Sequence, residues 1–191
     1  MIHPAIALLE VASIAQGLFL CDVLVKKAPV RLLRAEAVSP GKFLVLFGGD
    51  VASVEESHQA ALDAADGEVV DTLLLPQVHD QVLPALEGCF PAVALDAVGI
   101  YEVHTVASGL LAIDAALKAA AVSLVNLRVA RGIGGKLYFT VTGTHSEVEA
   151  ALDAADGPGL ATAARVRRVL VPNPHEDFLD VLRPGDAGQG T

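Results

Sequence analysis

ALLEVASIAQGLFLCDVLVKKAPVRL, residues 7–32, returns 92 positions later as GIYEVHTVASGLLAIDAALKAAAVSL, residues 99–124. Ten of the 26 aligned positions are identical, among them Glu10 with Glu102, Gly17 with Gly109, Asp22 with Asp114, Lys26 with Lys118 and Val30 with Val122. Even in a chain rich in Ala, Val and Leu this is far above coincidence, so the sequence reads as a tandem duplication. A two-residue insertion then moves the offset to 94, pairing Gly41 with Gly135, Lys42 with Lys136 and Gly49 with Gly143. Towards the ends of the halves the offset becomes 96, where LPQVH (75–79) meets VPNPH (171–175). The heptapeptide ALDAADG at 61 and again at 151 has an offset of 90, which fits this register only if its helix slips by one turn. Slip and coincidence both remain open from the sequence.

The halves are expected at residues 5–92 and 97–184, joined by the short apolar segment CFPAVALD, which is unsuited to a free tether. The end of the chain, PGDAGQGT, is small and polar, and residues 185–191 are expected to be disordered.

Within each half, periodicity gives the order of elements. An apolar strand (5–11) passes Ser13, a candidate N-cap, into a helix with Ile14, Leu18, Cys21 and Val25 at helical spacing. Pro29 limits that helix. Two β-rich runs, 30–38 and 42–47, flank the Ser-Pro-Gly turn at 39–41, and a tight turn implies an antiparallel hairpin. A helix over 51–65, a strand over 69–75 and a short helix after His79 complete β-α-β-β-α-β-α. The second half repeats that order, with GIGG (132–135) at the hairpin turn. The fold class is α+β: a duplicated ferredoxin-like layer, each half an antiparallel sheet flanked by helices.

The chain has 191 residues and a mass of 19.7 kDa, enough for one large or two small domains. With 53% hydrophobic residues it is unusually apolar, yet its longest uncharged stretches fall short of the ~20 residues of a spanning helix. No membrane partner is expected. Glu10 interrupts what would have to be the apolar part of a signal peptide, and no basic segment precedes it, so a cytoplasmic location is expected. A formal charge of −10 has the wrong sign for a phosphate-backbone binder, and aromatics at 4% offer no stacking platform, so nucleic acid is not expected as a partner. Cys21 and Cys89 have no metal-finger spacing and read as buried, reduced thiols.

Groups able to do chemistry are few. His79 and His175 stand at equivalent starts of short helices and read as structural or capping residues. His104 reads as a solvated strand end, and His58 and His145 lie on polar faces. No HExxH, GxSxG, phosphate-loop or paired-cysteine motif occurs, so no catalytic residue and no metal ligand is assigned. The repeated turn sequences SPGK (39–42) and GIGGK (132–136) are more informative. Their backbone N–H groups suit a polar or anionic ligand, although glycine in such turns also serves simply to permit positive φ. The repeated Asp-x-x-x-Lys spacing (Asp22 to Lys26, Asp114 to Lys118) fits either an exposed helical ion pair or a lysine held at the same edge of two domains for lateral contacts.

Taken together, SPGKFLVLFGGD, ARGIGGKLYFTVTG, VLVPNPH and the paired stretches quoted above resemble the tandem-domain, single-pore shell proteins of bacterial microcompartments, over nearly the whole chain. The resemblance implies a structural protein rather than an enzyme, located in the microcompartment shell. It implies a homotrimer in which six similar domains form a flat pseudohexameric tile, joined to other hexameric and pentameric tiles. A central pore for small polar metabolites would be lined by Val38, Ser39, Pro40 and Gly41, alternating with Gly132, Ile133 and Gly134. Lys26 and Lys118 would make the tile-edge contacts. Members of this type that carry an iron–sulfur cluster in the pore have a cysteine where this chain has Ser39, and a hydroxyl is a poor substitute for a soft thiolate. No cofactor is therefore expected; the alternative is a redox module holding a cluster or metal in the trimer pore. Asn173 stands where related domains often have an arginine that helps join tiles. A third reading, a sensor or enzyme on duplicated ferredoxin-like domains, has no convergent acid, base or nucleophile to support it.

Overall fold

Each half begins with a strand too apolar to leave either face in water. The computed structural model describes residues 5–161 and 165–182. Strand β1 (Ala5–Val11) is buried at every position. It takes the centre of a sheet of order β2-β3-β1-β4, with β2 at Arg31–Val38, β3 at Lys42–Gly49 and β4 at Val69–Leu75. All pairings are antiparallel, with Leu8 opposite both Leu46 and Leu73. Helix α1 (Ile14–Lys27) links β1 to β2, α2 (Val51–Ala64) links β3 to β4, and α3 (Val82–Leu86) follows. The second half repeats the order as β5 (Ala97–Val103), α4 (Val106–Ala119), β6 (Ser123–Val129), β7 (Leu137–Gly143), α5 (His145–Ala161), β8 (Arg165–Val171) and α6 (Glu176–Leu182). Its sheet order is β6-β7-β5-β8. Both halves thus have the α+β architecture expected from the sequence.

The chain's compact units do not coincide with its sequence halves. One unit comprises the described residues up to Val78 together with Thr105–Ser108 and Ala130–Gly135; the other comprises His79–His104, Gly109–Val129 and the described residues from Lys136 on. In the first unit, alternate residues Ala5, Leu9 and Val11 of β1 pack with Leu20 and Leu24 of α1 and Phe47 of β3. In the second, Tyr101 and Phe139 stack with ring centroids 5.4 Å apart.

Local chemistry explains the helix starts. Ser13 Oγ accepts the N–H of Gln16 at 3.2 Å, as expected of the N-cap of α1, and Asp50 Oδ1 accepts that of Ser53 at 3.0 Å at the start of α2. The inward face of α1 differs from the expected one. Gly17, Leu20 and Leu24 are buried, whereas Ile14, Leu18 and Val25 of the predicted apolar row are exposed, and Cys21 is half-buried. Gly17 fixes the choice, because a Cβ there would lie 2.4 Å from Cδ1 of Phe43, so this side of the helix can approach β3 closely. Gly109 repeats the arrangement against Leu137.

The shared heptapeptide sits one helical turn apart in the two equivalent helices and has two outcomes. In α2 it ends the helix, with Asp66 and Gly67 at positive φ; in α5 it remains helical through Gly157. The last predicted segment, residues 185–191, lies outside the described residues.

Candidate functional site

The two hairpin turns differ in length but share their conformational requirement. After β2 the chain turns through Ser39, Pro40 and Gly41, with a cis Ser39–Pro40 bond; Gly41 has φ +105° and donates its N–H to Val38 O at 2.9 Å. After β6 the turn is longer. Gly132, Gly134 and Gly135 all have positive φ, and Ala130 O accepts the N–H groups of Ile133 and Gly135 at 3.4 and 3.2 Å. The positive-φ role of these glycines is therefore real, and part of each turn's N–H complement is used internally.

Both turns belong to the first compact unit, and there they touch. A Cβ on Gly135 would lie 2.7 Å from Ser39 O and 3.0 Å from Lys42 Cε, so the backbone of one turn rests directly on the other. Arg131 adds an ion pair to Glu36. Ser39, Pro40, Gly41, Gly132 and Gly134 are exposed and Ile133 is half-buried. Val38 is only 5% exposed and lies beneath the turn.

Beneath these turns is a pair that the sequence reading did not assemble. Lys42 Nζ lies 2.6 Å from Oε2 of the fully buried Glu10, whose Oε1 accepts the N–H of Ala107 at 2.8 Å in the first turn of α4. Burial pushes the Glu10 carboxyl above its ordinary range, opposed by Lys42 and by the N–H groups at that helix start. Asp71 Oδ2 accepts from Thr105 Oγ1 and Ser108 Oγ at 2.5 and 2.8 Å, so two carboxylates hold one helix start. The corresponding pair in the other half, Lys136 with Glu102 at 2.8 Å, is partly exposed. Both members of each pair recur between the halves, which was the available signal; their contact requires the β1–β3 register.

The two repeated lysines form the expected helical ion pairs. Lys26 to Asp22 and Lys118 to Asp114 are both 2.6 Å. Lys26 and Asp22 are exposed, whereas Asp114 is nearly buried and also accepts the N–H of His79 at 2.8 Å. His175 Nδ1 accepts the N–H of Asp177 at 3.3 Å in the first turn of α6, in keeping with a cap, whereas His79 Nδ1 accepts that of Gln81 at 3.3 Å, just before α3 begins, and so has a structural role. His58 corrects an expectation. It is only 9% exposed because its Nε2 lies 2.7 Å from Thr72 Oγ1, which satisfies the ring inside the fold. Cys89 also differs from expectation in being exposed, since it follows the short α3 rather than entering the core. Among the described residues no three His, Cys, Asp or Glu side chains converge as a metal site.

These two sheets, with their repeated turns and lysines, define a tandem shell-domain protein. The BMC domain matches residues 5–78 and 97–174, and the chain belongs to this family as a bacterial microcompartment shell protein, not an enzyme. The chain is 41% identical over 174 residues, 91% of its length and 95% of the relative's, to the bacterial microcompartment shell protein PduT of Citrobacter freundii. It superposes with a TM-score of 0.82 on a microcompartment protein from Desulfitobacterium hafniense, 41% identical, covering 93% of this chain and 98% of the other. It superposes with a TM-score of 0.65 on the fused permuted hexameric shell protein of the RMM microcompartment, 25% identical, covering 84% and 86%. Among the described residues no helix is long and apolar enough to cross a membrane.

Proposed function

We propose that three copies of this chain form a pseudohexameric ring in the microcompartment shell, with domains at 5–92 and 97–184 alternating around it. The turns at Ser39–Gly41 and Gly132–Gly134 alternate around a central pore for small polar metabolites. The observation that carries this reading is the direct stacking of Gly135 on Ser39 O, which brings both exposed, glycine-containing turns together within one compact unit. Ser39 hydroxyls and the turn N–H groups supply hydrogen bonds to a passing solute, and Ile133 supplies an apolar constriction. Val38, being buried, supports the lining from below. Lys26 and Lys118, each held by an aspartate one helical turn earlier, present their ammonium groups at tile edges to neighbouring hexameric and pentameric shell proteins.

Native mass spectrometry of the purified chain tests the ring: a trimer is expected, and a stable monomer or dimer refutes it. In assembled shells, Ser39→Trp is expected to slow passage of small polar solutes while leaving the trimer intact. Unchanged flux refutes a route past Ser39.

A further inference from the structure

The repeated heptapeptide ALDAADG carries both Asp-Gly bonds of the chain, Asp66–Gly67 and Asp156–Gly157, and the fold gives them opposite settings. The first lies just beyond the end of α2. Asp66 and Gly67 are both exposed, with φ of +50° and +78°, and the N–H of Glu68 donates to Ala65 O at 3.0 Å. This is a tight turn with both central residues in the left-handed region, a conformation that Asp-Gly suits. Its ends are tied to the start of α1: Ala64 O accepts from Gln16 Nε2 at 2.6 Å, and Glu68 O accepts the N–H of Ala12 at 2.9 Å. Its tip is open, since none of the described residues comes within 4 Å of where a Cβ on Gly67 would stand. The second bond lies inside α5. There Asp156 is half-buried and both of its oxygens are engaged: Oδ1 accepts from the Tyr101 hydroxyl at 3.1 Å and from Arg165 at 3.0 Å, and Oδ2 accepts from Arg168 at 2.9 Å.

We propose that Asp66–Gly67 is a site of spontaneous isoaspartate formation, and that the fold withholds Asp156–Gly157 from the same reaction although the residues preceding the two bonds are identical. The backbone nitrogen of Gly67 attacks Cγ of Asp66 in its protonated form. As the N–Cγ bond closes a succinimide ring, the bond from Cγ to its hydroxyl oxygen breaks, and that oxygen leaves as water with the proton given up by the nitrogen. Water then adds to one of the two imide carbonyls. Cleavage between the nitrogen and Cγ restores aspartate. Cleavage between the nitrogen and the main-chain carbonyl carbon leaves the chain running through Cβ and Cγ, which is isoaspartate. Gly67 admits the attack because it has no Cβ to screen the nitrogen and can rotate through φ of either sign. In α5 the Gly157 nitrogen belongs to the helical backbone, and Cγ of Asp156 is held in place by the Tyr101 hydroxyl and two guanidinium groups. The product at Asp66 adds one carbon to the main chain between the two tied ends of the turn, and so works against the bonds to Gln16 and Ala12 that seat α1.

The test is ageing of the full-length chain in neutral buffer at physiological temperature, with isoaspartate counted by enzymatic methylation and located by peptide mapping. It is expected to accumulate at Asp66 about tenfold faster than at Asp156 or more, because reaction inside α5 waits for local opening of the helix. In concentrated urea the fold is removed, and the two rates are expected to converge. Absence of isoaspartate at Asp66, or equal accumulation at both sites in the folded chain, overturns the proposal. A difference that persists undiminished in urea also overturns it, since the cause would then be the following residues, Glu68 and Pro158. Asp66→Glu, whose longer side chain does not close a succinimide, is expected to remove the signal from this turn; a signal that survives the substitution overturns the assignment of the site.

Discussion

Replacing Gly17 with alanine separates helix propensity from packing. In an exposed helix interior the change stabilises by about 1 kcal/mol, because glycine is the costlier residue there. At this position the new Cβ would sit 2.4 to 2.6 Å from Cδ1, Cγ and Cβ of Phe43. Ordinary carbon contact is about 3.5 to 4.0 Å, so the overlap is about 1 Å. Rotating the ring removes only part of it, since Cβ of Phe43 moves with the backbone of β3. The helix must therefore lift from the sheet, loosening Leu20 and Leu24, which are fully buried beside Gly17. Overpacking of this kind costs about 1–3 kcal/mol, which outweighs the propensity gain and leaves a net loss of about 1 kcal/mol. Urea unfolding at one fixed protein concentration, which holds the contribution of assembly constant, is the assay. Gly109→Ala, whose Cβ would lie 2.6 Å from Leu137 Cδ2 and 2.9 Å from its Cβ, is expected to behave alike. A midpoint for Gly17→Ala equal to or above that of the wild type refutes the reasoning.

Lys42→Met strands the buried Glu10 carboxylate and is expected to cost several kcal/mol near neutral pH, a deficit that shrinks on acidification as Glu10 gains a proton. Lys26→Met, which breaks an exposed pair, is expected to change unfolding by less than about 1 kcal/mol. For His58, burial lowers the folded pKa below the unfolded value of 6.5, so its contribution is complete above that pH and is lost as pH falls through it towards the folded pKa. His58→Gln is therefore expected to flatten the loss of stability below pH 6.5, measured by urea midpoints across that range. Tyr101→Phe keeps the stack on Phe139 but removes bonds from the hydroxyl to Ala155 O and Asp156, both 3.1 Å; a loss of about 1 kcal/mol in urea unfolding is expected.

Duplication made the architecture legible, because every element could be read twice; the change of offset from 92 to 94 falls at the hairpin turn, and that from 94 to 96 falls where α5, with 17 residues, outruns α2, with 14. The face of α1 was not legible, for a physical reason. That helix is apolar on two sides, Ile14, Leu18 and Val25 on one and Leu20 and Leu24 on the other, and periodicity does not say which meets the sheet. The deciding clue was Gly17, present in both halves and small enough for close approach. His58 was misread because its satisfaction comes from Thr72, which itself donates to Leu8 O at 2.9 Å; the ring therefore donates to the hydroxyl, an arrangement that exists only once α2, β4 and β1 are assembled. The turn glycines were visible as a repeated motif. The contact between the turns was not, nor was the Glu10–Lys42 pair beneath them, because both depend on residues far apart in sequence.

The two copies of the helix start also offer a comparison inside one molecule. Ala107 and Ala15 occupy the same position in α4 and α1, but among the described residues only Ala107 of the two donates to a carboxylate. Exchange of a backbone N–H with solvent requires the bond to open, so protection measures that contact directly. In dilute, dissociated chain, Ala107 is expected to exchange slowly and Ala15 at the rate of a frayed helix start. Glu10→Gln should speed the exchange of Ala107 without affecting Ala15. Equal protection of both amides in the dissociated chain would mean that the Glu10 carboxylate is not what holds the start of α4.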